Sequence, residues 1–133
     1  MPQVINIERE IEPLVFLEGR HADSPAEALD AAFATLTIYR DGAIFAGGFS
    51  GMSPWERHRN GDEIVQVLGG ATSLTIITAA GTETFELTAG RMIVVPQGCW
   101  HRFHSEAGVR LMTVTPQPTD HSRADHPTTA DDI

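Results

Sequence analysis

The stretch Pro54-Trp55-Glu56-Arg57-His58-Arg59-Asn60-Gly61-Asp62-Glu63 decides how the chain is read. Glu56 and His58 stand two residues apart, so on an extended backbone their side chains leave one face while Arg57 and Arg59 leave the other. Asn60-Gly61-Asp62 is turn chemistry, and a reversal there brings Glu63, which opens the next strand, alongside the first two. Three candidate metal-ligating side chains thus converge through local geometry.

A second stretch completes the pattern. In Gly90-Arg91-Met92-Ile93-Val94-Val95-Pro96-Gln97-Gly98-Cys99-Trp100-His101 an apolar strand ends at a Pro-x-Gly turn, and His101 opens the strand after it. On these residues the chain resembles the cupin superfamily. Its first motif runs His-x-His, four residues, Glu, then a Gly; its second runs Gly, five residues, Pro-x-Gly, two residues, His. His58, Glu63, Gly69, Gly90, Pro96, Gly98 and His101 fall at matching spacings, and Glu56 stands where the family usually has its first His. More narrowly, Trp55-Glu56-x-His58, Gly61-Asp62-Glu63, Val67-Leu68-Gly69-Gly70 and Thr115-Pro116 are similar to small single-domain barrels, cupin-2-like and RmlC-like, over roughly residues 44–116.

The resemblance implies an all-β, double-stranded β-helix (jelly-roll) barrel with its ligands in the mouth, and commonly a homodimer. Matched residue by residue, it implies that Glu56, His58, Glu63 and His101 hold a divalent metal ion, and two imidazoles with two carboxylates suit Mn, Fe, Ni or Zn. Two carboxylates would formally neutralise the ion and weaken it as a Lewis acid. The alternative is a barrel that keeps this geometry without metal, with Glu56 paired to an Arg; against it stands the cost of burying unpaired carboxylates.

Around the motifs, Trp55, Val65, Val67, Phe103 and Met112, with Phe49, are candidate pocket walls, and each also reads as plain core or rim packing. Phe103 and Ser105 share parity with His101, whereas His104 should face outward. Cys99 has no evident paired base, so a structural thiol is the simpler reading.

Farther out, the remaining segments read as short strands with turn signals between them. Residues 14–18 form a first strand, and Ser24-Pro25-Ala26-Glu27 carries the signature of a helix start, with Ser24 as cap and Pro25 in the first turn. Residues 33–49 read as a hairpin turning at Asp41-Gly42, and further strands fall at 63–68, 73–78, 82–87, 91–95, 100–104 and 109–115. This predicts N-terminal strands and a short helix over 1–43, a barrel core over 44–116, and a polar tail over 117–133, mobile or loosely docked, with His121 and His126 solvated.

Composition narrows the function. The chain of 133 residues suits one domain, and its net charge of −9, from 18 acidic against 9 basic residues, disfavours nucleic acid and anionic membrane as partners. It has no Lys, which excludes Schiff-base and P-loop chemistry, and no Gly-x-Ser-x-Gly elbow. One cysteine and no signal-like or membrane-spanning run fit a cytoplasmic protein. Three functions remain: a mononuclear metalloenzyme acting on a small oxygen-bearing metabolite by oxidation, isomerisation or lyase chemistry, with Glu56 as candidate proton carrier; a non-catalytic module that binds or senses a small molecule, with or without metal; or a structural dimer whose barrel is filled and closed.

Overall fold

Strand and turn signals resolve into nine strands and two short helices in a computed structural model that describes residues 2–128. Asn6 caps α1 (Ile7–Ile11), its side-chain oxygen accepting from the Arg9 N–H at 3.1 Å. β1 covers Leu17–Arg20, later than the expected 14–18, and Val15 instead gives its N–H to the carbonyl of Ala31, in the helix that follows. α2 (Ala26–Ala32) forms one residue later than the capping signature predicts: Pro25 is the cap, and the Ser24 hydroxyl accepts from the His21 N–H.

β2 (Phe33–Tyr39) and β3 (Gly42–Met52) form the expected hairpin, but its turn is Arg40-Asp41. Arg40 takes the positive φ of 49°, and Gly42 is needed elsewhere, pressed against the Thr115 backbone where a Cβ would not fit. β4 (Trp55–His58), β5 (Glu63–Thr78), β6 (Gly81–Thr88), β7 (Met92–Val95), β8 (His101–Pro116) and β9 (Thr119–Ser122) follow. Where the sequence suggests breaks near Gly69-Gly70 and Gly108, β5 and β8 each run on for 16 residues and pair antiparallel with shifted register. The turn residues make bulges that bend the strands rather than end them. Gly70, at φ 72°, passes so close to the Gly108 carbonyl that a side chain there would strike it.

The result is a jelly-roll barrel. β8 lies at its centre, pairing with β3 on one side and β5 on the other; β4 and then β9 continue one edge, while β5 also carries β6 and β7. Inward positions alternate along β5 (Glu63, Val65, Val67) and β8 (His101, Phe103, Ser105, then Val109, Leu111, Thr113, Thr115). Phe49, Val65, Val67, Leu74, Ile76, Val95, Phe103 and Leu111 close the apolar core, each such burial contributing about 1.5–3 kcal/mol.

The polar segment after Pro116 is not a loose tail as far as residue 128. β9 pairs with β4, and the buried Asp120 accepts from both Arg57 and Arg59 at 2.8–3.1 Å. Residues 129–133 of the expected tail lie outside the described residues. Among the described residues no helix is long and apolar enough to cross a membrane.

Candidate metal centre

The two sequence stretches meet because their turns are bonded to each other. Glu63 pairs with Val95, so the Asn60-Gly61-Asp62 turn lies beside Pro96-Gln97-Gly98. Asp62 accepts from the Gln97 N–H, the Gln97 amide donates to the Arg59 carbonyl, and the Gly98 N–H donates to the His58 carbonyl. Gly98 makes the return at φ 78°. His58 therefore ends β4, Glu63 opens β5 and His101 opens β8, all at one end of the barrel and all buried.

One ligand atom from each of His58, Glu63 and His101 lies within 4.8 Å of the other two. His58 Nε2 is 3.3 Å from Glu63 Oε2, and His101 Nε2 is 3.1 Å from Glu63 Oε1. The second pair is too poorly aligned for a good hydrogen bond, and both its atoms are buried without another partner. The far ring nitrogens are engaged. His101 Nδ1–H donates to the Cys99 carbonyl at 3.1 Å. Thr119 donates its hydroxyl to Gln117, leaving its oxygen to accept from His58 Nδ1–H at 3.0 Å. With the far nitrogens so engaged, both rings turn Nε2 toward the carboxylate, an arrangement that calls for a cation among the three.

A proton or a metal ion can meet that need. Burial alone would raise the pKa of Glu63, but His101 and His58 outweigh it and hold the carboxyl at about 2. Burial alone would lower that of His101, yet the Glu63 carboxylate beside it, helped by Glu56, makes the net direction upward. Thr115 steadies the carboxylate, donating to Glu63 Oε2 at 2.7 Å, and itself bonds Thr113. Two oriented imidazoles, one carboxylate and orphaned buried atoms fit a divalent ion.

Glu56 stands outside this cluster. It is opposite His101 in the β4–β8 register and lines the same cavity, but its carboxylate lies 3.7 Å from His121 Nε2. His121 is exposed as expected, yet it belongs to the cavity rim; His126 is exposed and meets Thr82. Trp55 is not a wall of this cavity, because its parity is that of Arg57 and it faces the opposite side, under the Arg102 guanidinium. Trp100 is likewise buried, beneath Arg57. Val65 and Val67 are fully buried core, and Met112 faces away because Leu111 and Thr113 take the inner positions. Phe103 and Phe49 do line the cavity.

The cavity has a volume of about 580 Å³. Its lining also includes residues that the sequence did not mark as pocket, among them Arg20 from β1, Asp30 from α2, Phe33 and Phe45 from the hairpin, and Thr119 from β9. Polar segments near the chain ends carry Arg20 and Thr119, and no motif marks them. A second cavity, about 630 Å³, lies between α1 and the outer side of β3 and gathers no metal-ligating cluster.

A family model described as "Cupin domain" matches residues 47–115. The fold is similar to that of a cupin-2 domain containing protein from Shewanella frigidimarina NCIMB 400 (19% identity, TM-score 0.63, 86% of this chain and 95% of that one). It is also similar to a hydroquinone 1,2-dioxygenase in complex with Cd2+ and 4-hydroxybenzonitrile (17%, TM-score 0.54, 63% of each chain). An oxalate oxidase in complex with glycolate matches at 18% and TM-score 0.53, over 59% of this chain and 45% of that one. This chain thus spans less than two thirds of either enzyme. No curated protein matches the sequence.

Proposed function

The chain belongs to the cupin-domain family, and from that premise we propose that it binds one divalent metal ion through His58, Glu63 and His101 and uses it on a small oxygen-bearing molecule. The observation that carries this reading is the convergence of two imidazole Nε2 atoms on one buried carboxylate, with Glu63 Oε1 and His101 Nε2 lacking any well-formed hydrogen bond. The ion, Mn, Fe, Ni or Zn, would supply Lewis acidity toward a bound oxygen. The protein's own part is to orient: the Cys99 carbonyl and Thr119 fix the two rings, and Thr115 fixes the carboxylate. Glu56, at the edge of the cavity beside His121, is the group free to carry a proton to or from the bound molecule. The neighbouring dioxygenase and oxalate oxidase support small-molecule oxidation within this fold. The homodimer, the cytoplasmic setting and a core over 44–116 belong to the same proposal.

A second reading, a binding module without turnover, is favoured by the place of Glu56 outside the cluster, which leaves three ligands where the family pattern has four. Calorimetric titration of metal-free protein with each ion, followed by oxygen uptake and a panel of hydroxy acids, diketones and sugar derivatives, tests the pair. One saturable metal site with turnover supports the enzyme; a metal site with ligand binding but no turnover supports the module. No heat with any ion overturns both metal readings.

A further inference from the structure

The cavity holds a cation that the metal centre does not use. Arg20, the last residue of β1, lines it, with its guanidinium carbon 4.8 Å from the Phe49 ring centroid and 5.4 Å from that of Phe33. Arg57, Arg59 and Arg123 each hold a carboxylate. Arg20 has no ion pair or side-chain hydrogen bond among the described residues, and its Nε is buried with no partner. Burial lowers its pKa, and the nearby Glu56 charge opposes that shift. In a chain of net charge −9 an unpaired, largely buried guanidinium is a costly feature, and it is relieved when an anion brings oxygen atoms to its fork.

From this placement we infer that Arg20 receives the carboxylate group of an organic acid whose apolar body lies among the phenylalanines and reaches toward His58, Glu63 and His101. Several observations set that class. Phe33, Phe45, Phe49 and Phe103 make most of the nearby wall apolar, and about 580 Å³ holds a body well beyond a bare inorganic ion. Arg20 is the only Arg among the described residues lining the cavity, and Glu56 and Asp30 lie there too. A single guanidinium with two carboxylates near it suits a monoanion and disfavours a phosphate dianion. Cation–π contact with two rings holds the guanidinium against the apolar wall, beside the place where an acid's apolar body would lie.

The inference deepens the proposed function by naming the substrate class, and its test separates the two. Metal-free protein is titrated calorimetrically with benzoate, its neutral counterpart benzamide, and inorganic phosphate, using wild type, Arg20→Gln and Arg20→Lys. Wild type is expected to prefer benzoate over benzamide by tenfold or more, Arg20→Gln to lose that preference, and Arg20→Lys to keep part of it. Circular dichroism shows which variants are folded; should Arg20→Gln unfold, the wild-type preference and Arg20→Lys carry the test. Equal binding of benzoate and benzamide, no binding of benzoate, or a preference for phosphate overturns the inference. Metal content of the same variants reports independently on the metal reading, since Arg20→Gln leaves all three proposed ligands in place.

Discussion

Glu63 is the residue on which the site turns, because both imidazoles address its carboxylate. Its pKa in the fold, about 2, lies below the ordinary 4.5, so its stabilising effect is present above pH 4.5 and is lost as pH falls toward 2. His101 moves the other way: raised above 6.5, it contributes fully below pH 6.5 and less as pH climbs through the raised value. Metal-free protein should therefore be most stable between pH 4.5 and 6.5, read as thermal midpoint by calorimetry; a midpoint that keeps climbing above pH 6.5 would contradict the pair. A metal ion must displace the His101 proton, so metal affinity is expected to rise with pH across neutrality. Thr119→Val removes the acceptor that orients His58 and should weaken metal binding about 10- to 100-fold in a chelator competition, with the fold intact. His58, Glu63 and His101, which the fold brings together, were singled out by motif spacing and resemblance along with Glu56, which stands apart, whereas Thr119 and Arg20 carried no signal. A lone threonine or arginine in a polar run acquires a role only through the strand that carries it past the cavity.

At the scale of elements, β9 is the clearest departure from the sequence reading. Thr119, Asp120, His121 and Ser122 have no apolar member, so hydrophobic alternation could not reveal a strand; what is buried, on the face away from the cavity, is an ion pair. The signal was the complementary charge, Arg57 and Arg59 against Asp120. Asp120→Ala strands Arg57 in the interior and should cost about 3 kcal/mol in chemical denaturation, with β9 amides exchanging faster. An unchanged midpoint would mean that β9 does not depend on the pair. Similarly, Gly69-Gly70 and Gly108 read as breaks because glycine marks turns and bulges alike, and only long-range pairing of β5 with β8 distinguishes them. Gly70→Ala combines a positive φ with a collision against the Gly108 carbonyl and should destabilise by about 1–3 kcal/mol in the same assay.

Across the whole molecule, alternation and turn chemistry indicate no more than a sandwich or barrel, and the jelly-roll followed from the family resemblance carried by the two motifs, which fix how β4, β5, β7 and β8 meet. Parity then sorted the inner from the outer residues: His101, Phe103 and Ser105 face in, and His104 out. Parity also explains why Trp55 and Met112 fail as walls of the cavity, each being one residue out of phase with an inward neighbour. The surplus of acidic groups favours approach of cations, while the cavity itself offers one unpaired cation to an anion. The central claim, a single metal ion held by His58, Glu63 and His101, is tested most directly by metal-to-protein ratio. Elemental mass spectrometry would be run on tag-free protein reloaded with Mn, Fe, Ni or Zn, beside His101→Ala and Glu63→Gln. Close to one ion per chain is expected in wild type and little in either variant; wild type without metal after every reloading, or variants that keep it, would rule out an ion held by these three residues.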